Sequence, residues 1–140
     1  MSAAEHAFAH RWFEEVWNQR SPESLEELLA PDAQSFGFPQ PGSVLDRAGF
    51  IAAVEGFHST FSNIRVTLTD VIAEDQRFAA HWTATMTHTG EGLGFPATNA
   101  PVTLSGISIA HIRDGKLTKG WNALDMTAVT QHLASLAAAV

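Results

Sequence analysis

Gly106-Ile-Ser-Ile-Ala-His-Ile-Arg-Asp-Gly-Lys-Leu-Thr-Lys-Gly-Trp-Asn-Ala-Leu-Asp125 reads as strand, tight turn, strand, with one acid at the exit. Asp114-Gly115, set between Ile107/Ile109/Ile112 and Leu117/Trp121, is the dipeptide that a two-residue hairpin with positive φ demands, so the flanking runs are expected to be antiparallel neighbours. After Asp125 the spacing becomes helical. An acid between a core strand and a helix has two readings. Half inside the fold, loss of water raises its pKa and permits proton transfer near neutral pH. Alternatively it is an N-cap, accepting a backbone N–H of the helix that follows. Asp125 is the leading catalytic candidate on the first reading.

Working outward, the second half of the chain keeps a period of two. Ile64 to Ile72 alternates apolar and polar, and Glu74-Asp-Gln76 turns into a long strand from Arg77 to Thr89. Val102–Arg113 and Lys116–Asn122 complete the strands, and a helix runs from Met126 to about Ala138 with Val129, Leu133 and Leu136 on one face. Gly90 to Pro101 is a glycine- and proline-rich connection, read as a pocket lid beside His88.

The first half has helical spacing. Phe8, Trp12, Phe13, Val16 and Trp17 mark an amphipathic helix from Ala3 to about Gln19, and Trp12 and Trp17 are read as core. Ser21-Pro22-Glu23 restarts a short helix through Leu25, Leu28 and Leu29, which Ala30-Pro31-Asp32 stops. Ala33 to Phe38 is a strand candidate before the Pro39/Pro41/Gly42 loop. Asp46 caps a third helix carrying Phe50, Ile51, Val54, Phe57 and Phe61. Helices first and strands later imply an α+β domain, its antiparallel sheet wrapping the helices on one face.

Composition narrows the function. The 140 residues, 45% hydrophobic, make one domain over 1–140. The absence of cysteine removes thiolate nucleophiles and cysteine metal sites. A formal charge of −7 argues against nucleic-acid and anionic-membrane partners. The N-terminus lacks the order of a signal peptide, and no apolar run is long enough to span a bilayer, so the cytoplasm is the expected location. Phosphate-binding and dinucleotide-binding glycine patterns and the serine nucleophile elbow are missing, so no cofactor is expected.

Alternation along Phe78–His88 puts His81, Thr83, Thr85 and Thr87 on one side, and Phe78, Ala80, Trp82, Ala84, Met86 and His88 on the other. The two histidines therefore oppose each other. His111 shares a side with Ser105, Ile107 and Ile109, whereas Gly106, Ser108 and Ala110 form a small-residue face that leaves volume for a second chain or a ligand. His81, His111 and Asp125 lack the short spacings of metal ligands, so no metal is expected. Trp121 is expected to pack between sheet and terminal helix.

His81-Trp-Thr-Ala-Thr-Met-Thr-His-Thr-Gly90, Gly94-Phe-Pro96, Gly106-Ile-Ser-Ile, Arg113-Asp-Gly-Lys116 and Trp121-x-x-x-Asp125 with its closing helix together resemble the SnoaL-like polyketide cyclases of the nuclear-transport-factor-2-like superfamily. The resemblance covers Phe8 to Leu136. It implies a cone, a curved antiparallel or mixed sheet around the N-terminal helices with an apolar pocket at its open end, in a homodimer or larger homo-oligomer packed through the sheet. It also implies that Asp125 acts as acid/base in a cofactor-independent intramolecular aldol condensation. Relatives carry arginine where this chain has His81, which changes charge and reach. Limonene epoxide hydrolase, a neighbouring branch, uses an Asp-Arg-Asp triad; His81 and Thr83 stand where its arginine and second acid are needed.

The expected function is proton transfer with ring closure, or a related aldol-type step, on a compact apolar carbonyl compound. Asp125 shuttles the proton, and His81 and His88 polarise the carbonyl or orient the acid. Ser108 and Asn122 supply hydrogen bonds, and Phe36, Phe38, Phe57, Trp82 and Leu93 shape the pocket. The alternatives are a non-catalytic module binding a hydrophobic small molecule, since this fold also hosts pure binders, and epoxide-hydrolase-like water addition.

Overall fold

A computed structural model describes residues 3–139. Helix α1 (Ala3–Arg11) runs straight into a π-helical stretch, Trp12–Asn18. The expected first helix is thus present but changes pitch at Trp12. Wider turns there bring Trp12, Phe13 and Val16 to the buried side together, with Trp17 half-buried beside them. Asn18 ends the stretch by mimicking a strand: its Oδ1 accepts from Val66 N–H at 2.6 Å and its Nδ2 donates to Val66 C=O at 3.1 Å. That occupies part of an otherwise open sheet edge.

Helix α2 (Pro22–Leu28) is capped by Ser21, whose side chain accepts from Ser24 N–H at 3.1 Å. Strand β1 (Leu29–Phe36) then begins at once, running through Ala30-Pro31-Asp32 where the sequence predicts only a break. Pro31 is tolerated because pairing of β1 with its neighbour shifts register between Leu29 and Gln34. The two-residue β2 (Val44–Leu45) escapes sequence reading. Helix α3 (Arg47–Thr60), capped by Asp46 at 2.8 Å, stops one residue before Phe61. Phe61 opens β3 (Phe61–Glu74) instead.

β4 (Arg77–His88), β5 (Pro101–Arg113), β6 (Lys116–Leu124) and α4 (Met126–Ala138) follow the expected boundaries within a few residues. Both residues of the β5–β6 turn have positive φ, Asp114 at 54° and Gly115 at 73°, as the Asp-Gly reading requires. The six strands lie in the order β2-β1-β6-β5-β4-β3. All neighbours are antiparallel except β1 and β6, which are parallel, making the curved sheet mixed. The N-terminal helices and α3 cover its inner face: Phe8 lies against Phe78 with ring centres 6.3 Å apart, and Trp12 stacks on Phe50 at 6.0 Å. Among the described residues no helix is long and apolar enough to cross a membrane.

Candidate functional site

Strict alternation builds the site. On β4 the residues Phe78, Ala80, Trp82, Ala84, Met86 and His88 are all buried, and on β5 so are Val102, Leu104, Gly106, Ser108 and Ala110. Against this face the helices bring Trp12, Phe13, Trp17, Phe50 and Phe57. The rings do not meet completely, and a cavity of about 70 Å³ remains between them. A water needs roughly 10–15 Å³ on the same measure, so the space suits a small ligand or a few waters. Phe38, Phe57, Trp82, Ser108 and Asn122 line it; of the expected pocket-shaping residues, Phe36 and Leu93 do not. Phe36 alternates with inward-facing Ser35 and therefore points outward, stacking on Trp121 at 5.5 Å. Leu93 packs against the core within the Gly90–Ala100 loop.

Among the described residues, none that lines the cavity is ionisable. Polar character comes from one hydrogen-bonded chain across three strands. Trp82 Nε1–H donates to Ser108 Oγ at 3.0 Å, and Ser108 Oγ donates to Asn122 Oδ1 at 2.8 Å. Among the described residues Asn122 Nδ2 reaches only Phe36 C=O, at 3.4 Å. This chain fixes the Asn122 amide with its N–H₂ group as donor. Gln34 and Ser35 add polar groups from β1, and the Ser35 hydroxyl is buried with no partner among the described residues. Neither was anticipated, because serine in a short strand carries no distinguishing pattern. Trp12 and Trp17 also line the cavity, so the reading of both as core is only half of their role.

The small-residue face behaves differently at each position. Ser108 and Ala110 leave room, but at Gly106 the gap is already occupied: a Cβ there would lie 2.4 Å from Trp82 Cζ2. Its glycine is what admits the indole.

The three expected catalytic side chains are not brought together. Asp125 is exposed and caps α4, its Oδ1 accepting from Ala128 N–H at 3.1 Å. It is not among the cavity-lining residues, although Leu124 before it is. His81 lies exposed on the outer face, where its ring and backbone carbonyl both meet the Thr69 hydroxyl. Odd parity on β4 sends it there. His88 does face inward but is closed off between Phe61 and Phe95, with ring centres 5.7 and 5.6 Å away. Burial pushes its imidazole below the ordinary pKa. Nδ1 accepts from Thr98 N–H at 3.1 Å, which leaves the proton on Nε2 without a partner among the described residues. His88 thereby anchors the Gly90–Ala100 loop, whose Ala100 C=O accepts from His88 N–H at 3.0 Å. The loop closes over His88, not over the cavity.

Trp121 also departs from expectation. It is on the outer face, opposite in parity to Gly120 and Asn122, and packs edge-on to His111 at 4.9 Å rather than under α4. Among the described residues no three His, Asp or Glu side chains gather closely enough to hold a metal ion.

The sequence profile of the family described as SnoaL-like polyketide cyclase matches residues 7–133. A candidate polyketide cyclase from Acidithiobacillus ferrooxidans superposes with a TM-score of 0.79 at 25% identity, over 98% of this chain and 99% of that one. AclR, a candidate hydroxylase from Streptomyces galilaeus, gives 0.84 at 21% identity, over 96% and 98%. IdmH, a candidate polyketide cyclase from Streptomyces antibioticus, gives 0.75 at 24%, over 93% and 99%. Among curated proteins none matches.

Proposed function

Because the chain belongs to the SnoaL-like polyketide cyclase family, we propose that it performs cofactor-independent proton transfer on a compact apolar carbonyl compound. The observation that carries this reading is the Trp82–Ser108–Asn122 chain, which ends in an oriented amide donor on the wall of an otherwise apolar, aromatic cavity. A carbonyl oxygen accepting from Asn122 Nδ2 gains more as it becomes an enolate, because a fixed donor in a dry site favours the charge that develops. Such a donor lowers a barrier by about 3 kcal/mol.

The proton goes to Asp125. Capping occupies one carboxylate oxygen, Oδ1, and Oδ2 has no partner among the described residues. Helix capping and acid/base action are therefore compatible in one side chain. In a ring closure the carboxylate would remove the proton from the α-carbon. The enolate carbon then forms the new bond to a second carbonyl carbon, and the alkoxide so made takes the proton back from the Asp125 carboxyl. In an isomerisation the same proton returns at another carbon.

The test uses cyclohexanone as probe and follows exchange of its α-protons for deuterium by NMR. Asn caps as well as Asp, so Asp125→Asn is expected to keep stability while exchange falls 10²-fold or more; Asp125→Ala is expected to lose both, with a stability loss of about 1 kcal/mol. Wild-type exchange by a folded Asp125→Asn protein would remove Asp125 from the chemistry.

A second reading is favoured by one observation: among the described residues the cavity lining contains no ionisable group. A non-catalytic binder of a hydrophobic molecule needs none. It would bind cyclohexanone without exchanging its protons.

A further inference from the structure

The Ser35 hydroxyl is an anomaly in the cavity wall. Ser35 is 5% exposed, lines the cavity, and its Oγ has no hydrogen-bond partner among the described residues. Burying an unpaired hydroxyl costs stability, and an alanine would fill nearly the same space without that cost. Its position is specific. Ser35 pairs with Gly120 across the parallel β1–β6 ladder, and Asn122 lies two residues further along β6 on the same face. The Asn122 amide is oriented by Ser108, so that its Nδ2 is a donor with only a long contact of 3.4 Å to Phe36 C=O. Two incompletely used donors from neighbouring strands thus belong to one wall.

We infer that Ser35 and Asn122 form the seat of a single ligand oxygen, a carbonyl in the ground state and an enolate during reaction. This rests on the reading of the cavity as a site for an apolar carbonyl compound and makes it specific: the carbonyl faces the β1–β6 seam, and the hydrocarbon body lies against Trp12, Phe50 and Phe57. Two donors converging on one acceptor also explain why an uncharged cavity suffices. Neutral N–H and O–H groups stabilise a growing negative charge without bringing a buried cation into the core.

Titrations of cyclohexanone and of methylenecyclohexane, its isostere without an acceptor, test the seat in wild type, Ser35→Ala and Ser35→Thr. Ser35→Ala is expected to bind cyclohexanone about five- to tenfold more weakly, the equivalent of one neutral hydrogen bond, with methylenecyclohexane affinity unchanged. Ser35→Thr, which keeps the hydroxyl, should restore the preference for the ketone. The ligand-free Ser35→Ala protein should melt no lower than wild type, since it loses only an unpaired group. A lower melting temperature would mean that the hydroxyl serves the fold and would overturn the inference, as would equal losses for both probes or none for either. Failure of methylenecyclohexane to bind wild type would remove the apolar site itself; binding of both probes with no effect of Ser35 removes only the seat.

Discussion

The two faces of the β4–β5–β6 layer differ in kind although their residues alternate one by one. Inside stand Trp82, Leu104, Gly106, Ser108, Ala110 and Asn122, buried or half-buried; outside stand His81, Ile107, Ile109 and Trp121, exposed by a third or more of their surface or carrying the titratable groups. His88, enclosed at the end of β4, faces inward away from the cavity; the cavity wall offers uncharged donors, and His81 and His111 sit on the outer face. The cavity can therefore polarise a carbonyl, but a proton carrier has to come from a strand end, and β6 ends at Leu124 with Asp125 next.

The largest effect should come from breaking the inner face at Gly106. A Cβ there meets the Trp82 ring at 2.4 Å and Ala123 C=O at 2.8 Å, so Gly106→Val must expel the indole and with it the donor to Ser108. A loss of about 3 kcal/mol or more is expected in chemical denaturation. The matched outer change, Ile107→Val at a residue 51% exposed, should stay within about 0.5 kcal/mol. Similar losses at both positions would erase the distinction between faces.

A smaller effect comes from the enclosed histidines. Burial holds His58 and His88 below the ordinary imidazole pKa, and Arg20 adds to the depression at His58. The unfolded chain, with imidazoles near 6.5, binds protons first as pH falls. Stability should be complete above about pH 7 and should decline from roughly pH 6.5 downward until the folded-state groups protonate. Acids such as Glu5, Glu14 and Glu15, held low mainly by hydrogen bonds, add their own loss as pH falls into the ordinary carboxylate range, from about 4.5 downward. Urea midpoints at pH 7.5 and 5.5 check this; a midpoint unchanged or higher at pH 5.5 contradicts it.

Much of the architecture is written locally. Asp114-Gly115 dictates its hairpin, Ser21 and Asp46 announce their helices, and period-two alternation assigns the sides of β4 and β5 correctly. What escapes is what depends on partners far along the chain. Phe36 and Trp121 read as pocket or core aromatics until the parallel pairing of β1 with β6 puts both on the outer face, stacked on each other. Pro31 looks like a terminator until the register shift that accommodates it is known. Ser35 has no local signature at all: its interest lies in a missing partner, which only the packed structure reveals. Asp125 was legible as both cap and acid. The structure gives the cap its hydrogen bond, and the acid/base role remains the proposal tested above.

The central claim is that an apolar ligand enters with its carbonyl oxygen toward Asn122. Carbonyl-¹³C-labelled cyclohexanone titrated with the protein measures this directly by NMR. The account predicts that the carbonyl resonance of the bound ketone lies downfield in wild type of where it lies in Asn122→Leu, although the ketone binds both proteins. The same bound carbonyl resonance in wild type and in Asn122→Leu contradicts it.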